Sequence, residues 1–159
     1  MSIFVTSTAA PKPLTSTSTK VALTYAAVLV VMAVAQLFTF DEFLPFIQSI
    51  GLPFGDGTVY LLGPLIVLSE VFALPFLLRM WLSPAFRYVS MFLGWLVPAL
   101  WLCVSLWIVQ ANSPVTTVGF LGTAVDLMPG WWAVFISLAL GVLAAWSSWG
   151  LWPGKRAEK

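Results

Sequence analysis

The sequence predicts an all-α membrane protein, a bundle of four transmembrane helices. Of the 159 residues, 60% are hydrophobic and only 8% are charged, whereas about 25% of the residues of a soluble domain are charged. The second observation is that the apolar residues form four runs of about 20 residues, the length that crosses a bilayer core. The composition therefore excludes a soluble enzyme and a disordered chain.

Several residue types that support catalysis are missing. The chain has no histidine and one cysteine, Cys103, which excludes histidine ligation of haem, a catalytic triad and an intrachain disulfide. It has no phosphate-binding loop, no GxSxG or GxGxxG motif, and no cluster of potential metal ligands. A net charge of +1 offers no basic field to nucleic acid. We therefore expect no catalytic residues, no metal site and no nucleic-acid partner.

The first element is a polar tail followed by a span. Residues 1–20 are rich in Ser, Thr, Ala and Pro and predict a disordered tail, or alternatively an arm that orders against a partner protein. Residues 21–40 are apolar and uncharged, and predict the first transmembrane helix. The pattern at 33–35 is also typical of a secretory cleavage site, but the run stays apolar to Phe40, which favours a span.

Apolar residues recur at regular intervals in the loop that follows the first span. Residues 41–58 begin with Asp41 and Glu42, which favour the N-terminal end of a helix through its dipole. Gly51 and Pro53 would end that helix. We expect a short amphipathic helix that lies on the membrane or covers the mouth of the bundle.

The other three spans are predicted at 59–78, 88–109 and 131–151, so the transmembrane domain covers 21–152 and a basic tail covers 153–159. The loop at 110–130 is also partly apolar and predicts a second amphipathic element. Proline within a span predicts a kink whose freed carbonyl groups need partners, and the spans contain Pro64, Pro75 and Pro98. Three polar side chains within the spans can bridge helices: Gln36, Ser105 and Ser137.

The charges predict an orientation. All seven basic residues fall on one side of the four spans, at Lys12, Lys20, Arg79, Arg87, Lys155, Arg156 and Lys159. The charged residues of the opposite loops are all acidic: Asp41, Glu42, Asp56 and Asp126. By the positive-inside rule both termini are cytoplasmic. We expect a multi-pass protein of the bacterial inner (plasma) membrane.

Glu70 is the charge that this topology does not explain. It lies near the middle of the second span, and Arg79 follows nine residues later, about 13 Å along a helix. A charged side chain at that depth costs about 2.5–3.5 kcal/mol, so we expect Glu70 to face the bundle interior, protonated or paired. Candidate partners are Ser69, a Trp or Tyr of a neighbouring helix, and Arg79. A structural link between helices and a proton, quinone or headgroup site both remain open.

A family resemblance adds to this interpretation. The segment IQSIGLP, followed by LLGPLIVLSEVFALPFLLRMWLSPAFRYVSMFLGWLVPAL, resembles the DoxX-like family of small four-helix membrane proteins over residues 21–110. Glu70 and Arg79 match the family's glutamate in the second helix and the basic residue after it. The family often has a basic residue near the end of the first helix, where this chain has Phe40 and then Asp41, so a pairing of that residue with Glu70 does not carry over. The resemblance implies a left-handed bundle and a role in respiratory or redox-linked membrane complexes.

Two functions fit these observations. The first is a non-catalytic accessory or structural subunit, or an assembly factor, of a larger membrane complex, with other membrane subunits and lipids as partners. The alternative is a small quinone- or lipid-binding protein or transporter that uses Glu70, with quinone or lipid as the candidate cofactor. The candidate binding residues for either function are Glu70, Ser69, Arg79, Asp41 and Glu42.

Overall fold

The computed structural model describes residues 8–52, 56–111 and 115–152. The elements in these ranges are helices: α1 (Ser16–Phe38), α2 (Phe40–Ser49), α3 (Asp56–Leu77), α4 (Pro84–Ala111) and α5 (Trp131–Gly150). Among them, α1, α3, α4 and α5 are long and apolar enough to cross a membrane. Within the described ranges, the prediction of an all-α, multi-pass membrane protein is confirmed.

The four long helices form a ring. α1 packs against α3 and α5, and α4 packs against the same two helices from the other side. We call the end of the bundle with Lys20, Arg79 and Arg87 the basic end, and the end with Asp41 and Glu42 the acidic end. The short turn between α3 and α4 lies at the basic end. The two longer connections, which contain α2 and the loop at 115–130, lie at the acidic end.

Three of the four spans begin earlier than hydropathy predicts, α3 at Asp56 rather than 59 among them, and for α1 and α4 the residues at the start of the helix explain the difference. α1 begins at Ser16 rather than 21, since the Thr15 side chain accepts a hydrogen bond from the Ser18 backbone N–H at 3.1 Å. α4 begins at Pro84 rather than 88, and proline is favoured in the first position of a helix. The Thr15 hydroxyl satisfies a backbone donor at the start of α1, and a search for apolar runs does not detect such a cap.

The segment before α1 has defined contacts from Thr8 onward, which differs from the disordered tail predicted for 1–20; residues 1–7 of that tail lie outside the described residues. The backbone N–H of Thr8 donates to the carbonyl of Leu82 at 3.0 Å, and that of Leu14 donates to Gly150 at 3.0 Å. Residues 8–15 therefore cross the basic end from the α3–α4 turn to the end of α5. Backbone hydrogen bonds, which composition does not reveal, position them. The basic tail predicted for 153–159 lies outside the described residues.

The helices approach closely where residues are small. Gly150 of α5 lies against Ser18 of α1, with no room for a Cβ atom, as is common between membrane helices. Across the ring, the Tyr25 hydroxyl of α1 donates to the Gly94 carbonyl of α4 at 2.6 Å. Tyr25 is fully buried, so this bond joins opposite helices through the centre of the bundle.

Pro75 lies inside α3 and lacks the N–H that would continue the helical ladder. The Ser90 hydroxyl of α4 accepts a hydrogen bond from the Phe76 N–H at 3.0 Å and donates to the Phe72 carbonyl at 2.6 Å. A side chain of the neighbouring helix therefore supplies the partners that were expected to be needed near this proline.

Candidate functional site

The acidic end of the bundle is covered by α2 and by the loop at 115–130. α2 buries Phe43, Phe46 and Ile47 and leaves Asp41 and Glu42 exposed. The Thr123 hydroxyl of the loop donates to the Glu42 carboxylate at 2.6 Å, so the start of α2 is attached to the loop.

The loop at 115–130 is held in shape by its own hydrogen bonds. The Thr117 hydroxyl oxygen accepts from the backbone N–H groups of Gly119 and Leu127, each at 3.3 Å, and donates to Val125. The Val118 N–H donates to the Leu127 carbonyl at 2.9 Å. Gly119 has φ +85°, a conformation that residues with a Cβ rarely adopt. The conformation of the loop therefore depends on the Thr117 hydroxyl and on the positive φ of Gly119.

The loop is seated on the last turn of α1. The Thr39 hydroxyl accepts from the Thr123 N–H at 3.1 Å and donates to the Ala35 carbonyl at 3.1 Å. Gly122, with φ +59°, lies so close to Thr39 and to the Gln36 backbone that a Cβ atom would clash with them. This close approach lets the loop reach into the interior.

Glu70 is the centre of the buried polar group beneath this loop. Its side chain is fully buried, and its Oε1 atom accepts hydrogen bonds from Gln36 Nε2 of α1 at 3.1 Å and from Trp101 Nε1 of α4 at 3.2 Å. The same Gln36 nitrogen donates to the Phe120 carbonyl at 3.0 Å. The Phe120 ring packs on Trp101, with 4.6 Å between ring centroids. We call Glu70, Gln36, Trp101 and Phe120 the Glu70 cluster; it joins three helices and the loop.

The second oxygen of the Glu70 carboxyl group differs from the first. Glu70 Oε2 is buried and has no hydrogen-bond partner among the described residues, and the same is true of Gln36 Oε1 and Ser69 Oγ. Buried polar atoms are nearly always paired. The arrangement can therefore hold one proton on Oε2, or accept one hydrogen bond from a small donor.

The structure brings together some of the expected site residues and separates others. Glu70 lies in the bundle interior, and its tryptophan partner is Trp101. Ser69, which precedes Glu70 in the sequence, is also buried, but its hydroxyl group forms no hydrogen bond with Glu70. Arg79 lies at the basic end and donates to the Pro11 carbonyl at 3.2 Å, so it does not pair with Glu70. Asp41 and Glu42 lie at the opposite end.

Sequence reasoning named Gln36 as a residue that can bridge helices but not as a partner of Glu70, and it missed Phe120 altogether. Phe120 contributes a backbone carbonyl and a ring from a loop that has no secondary structure around it. A backbone carbonyl leaves no mark in the sequence, because every residue has one. The usable signal was the unusual apolar content of residues 115–130 between two spans.

Comparisons with protein-family models, with curated proteins and with solved structures give no match. The resemblance to the DoxX-like family therefore stays a prediction, and the function rests on the geometry of the chain itself.

Proposed function

We propose that this chain is a non-catalytic accessory or structural subunit of a larger membrane protein complex. The observation that carries the proposal is the state of Glu70. This carboxyl group, within a span, is fully buried and bonded to neutral donors of two neighbouring helices. Polar side chains that bond across membrane helices hold the helices together. Glu70 therefore acts as an internal link, and the exterior of the bundle is the part that meets other molecules.

The exterior offers a surface suited to another helix. On α5 an open groove is lined by Val142, Ala145, Trp146 and Trp149, and both tryptophans are about half exposed or more. A small residue between large ones lets a second helix approach closely. We propose that a transmembrane helix of a partner subunit occupies this groove. The DoxX-like resemblance further suggests that the complex is respiratory or redox-linked.

The orientation belongs to the same proposal. We propose that the basic end faces the cytoplasm of a bacterial cell and that α2 and the loop at 115–130 face outward. Support comes from the charges alone, since Arg79 and Arg87 lie at one end and Asp41 and Glu42 at the other.

The experiment is purification of the tagged full chain from its native membranes in mild detergent, followed by native mass spectrometry. We expect other membrane proteins at a fixed stoichiometry. Ala145→Trp, which fills the groove, should reduce their recovery at least about fivefold, because a rigid clash at a helix contact costs roughly 1–3 kcal/mol. Ala99→Trp is the matched control, since Ala99 is exposed on α4; its recovery should equal that of the natural chain.

One result would favour the alternative. The unpartnered Glu70 Oε2 is the observation that supports a quinone- or lipid-binding protein. Recovery of an isolated chain that carries one bound quinone, with no protein partner, would overturn the subunit proposal. Equal recovery of partners with Ala145→Trp and Ala99→Trp would overturn the assignment of the groove.

A further inference from the structure

Two arginines converge at the basic end of the bundle. Arg79 lies in the turn after α3 and Arg87 in the first turn of α4, and both line one cleft together with Pro11, Phe76 and Leu151. Arg87 is only 5% exposed. Burial of a guanidinium group to this degree is unusual, because the charged group loses its hydration.

Among the described residues, the hydrogen bonds of these arginines go to neutral groups. Arg87 donates to the Thr8 carbonyl at 2.7 Å and Arg79 to the Pro11 carbonyl at 3.2 Å. Arg79 Nε is buried and has no partner among the described residues. Carbonyl groups accept these bonds without cancelling the charge, so two arginines line one cleft with no negative partner among the described residues. Arginine binds phosphate and carboxylate groups more strongly than neutral acceptors, often through two parallel bonds.

The backbone at Arg79 is also unusual. Its φ is +56°, and it is the one residue other than glycine with positive φ in the described part of the chain. Such a conformation costs energy for a residue with a Cβ atom, and strain of this kind is concentrated at binding sites. The turn fixes the arginine at the cleft although glycine or asparagine would fit the backbone better.

The surroundings place the cleft at the level of lipid headgroups. The residues next to Arg79 are Met80, 51% exposed, and Trp81, 72% exposed. An exposed tryptophan at the end of a membrane helix is typical of the bilayer interface. Basic clefts between membrane helices at this depth bind phosphate-bearing headgroups.

We propose that the Arg79–Arg87 cleft binds a phosphate-bearing anion, the headgroup phosphate of an anionic phospholipid or free phosphate. The cavity volume is about 10 Å³, which is close to the space that one water-sized group needs. One phosphate oxygen therefore enters the cleft, where Arg79 Nε is unpartnered. The remainder of the ligand stays at the surface. This site is separate from the α5 groove and from Glu70.

The test uses the purified full chain in zwitterionic nanodiscs, alone, with phosphatidylglycerol, or with inorganic phosphate. We expect phosphatidylglycerol to raise the unfolding temperature and to be retained in native mass spectra. Arg79→Asn should weaken retention about tenfold or more, because one charge-assisted hydrogen bond contributes roughly 1.5–3 kcal/mol. Asparagine tolerates positive φ, so the backbone of the turn should accept this variant, and its unfolding in zwitterionic lipid alone measures the cost of the lost bond to Pro11.

Lys20→Gln is the matched control, because Lys20 is exposed at the same end and the variant loses the same charge. It should retain phosphatidylglycerol. Arg79→Lys, which keeps the charge but loses the planar fork, should retain an intermediate amount. A shift produced by inorganic phosphate alone identifies a soluble anion as the ligand, and a shift restricted to phosphatidylglycerol identifies a lipid. Equal retention by Arg79→Asn and Lys20→Gln, or no binding of either anion, would overturn the proposal.

Discussion

At the scale of single residues, Gln36 and Trp101 determine how Glu70 is held. Both donors are neutral and both bond to Oε1. The depth of Glu70 in its span predicts an interior position, and tryptophan was among the expected partner types. The sequence does not identify which of the nine tryptophans is the partner, because the rotation of each helix about its axis depends on packing between helices.

Two of the three tryptophans of α4, Trp101 and Trp107, give a direct test of this hydrogen bond. Trp101→Phe removes the indole donor from a buried carboxyl group and should lower the free energy of unfolding by about 1–3 kcal/mol. Trp107 Nε1 is buried without a partner among the described residues, so Trp107→Phe loses no such bond and should change stability much less. Thermal unfolding in detergent measures both variants. Equal losses of unfolding free energy in the two variants would show that the loss comes from packing and not from the bond to Glu70.

At the scale of elements, the spans were predictable and the loop at 115–130 was not. Apolar runs locate the four long helices to within a few residues, since each must satisfy its own backbone in lipid. The contacts between Thr39 and Thr123 and between Gln36 and Phe120 join residues 84 positions apart. Their existence depends on the path of the loop across the bundle, which no local pattern encodes.

Gly122 tests whether this path holds the loop in place. Gly122→Ala should be more destabilising than Gly51→Ala. Both residues have positive φ, so each change costs about 1–2 kcal/mol in the backbone. A Cβ atom at Gly122 would also clash with Thr39 and the Gln36 backbone, whereas nothing lies within 4 Å of one at Gly51. The clash should add roughly 1–3 kcal/mol.

Unfolding in detergent, with limited proteolysis of the loop, measures the difference between these glycine variants. If Gly122→Ala and Gly51→Ala have the same effect, the loop does not depend on its close contact with α1.

At the scale of the whole molecule, charge is separated along the bundle axis. Arg79 and Arg87 lie at one end, and Asp41 and Glu42 lie at the other. Such asymmetry predicts a single orientation in the membrane, because basic loops are retained on the cytoplasmic side. The proposed orientation therefore gives the two ends different aqueous surroundings.

Cysteine labelling tests the orientation. In a Cys103→Ala background, Thr116→Cys should react with a membrane-impermeant maleimide on intact cells, because Thr116 is exposed at the acidic end. Lys12→Cys, exposed at the basic end, should react only after the membrane is permeabilised. The reverse pattern would show that the acidic end faces the cytoplasm.

The hydrogen bond from Leu14 to Gly150 imposes an order on assembly. α1 is synthesised before α3 and α4, yet one of its two neighbours in the ring is α5, which follows them in the chain. Gln36 and Glu70 can meet once α3 has entered the membrane, whereas Trp101 and Phe120 arrive later. Until α5 has entered the membrane, one side of α1 remains in contact with lipid or with an insertion factor. Closure of the ring therefore waits for α5, and it joins the segment before α1 to the end of α5.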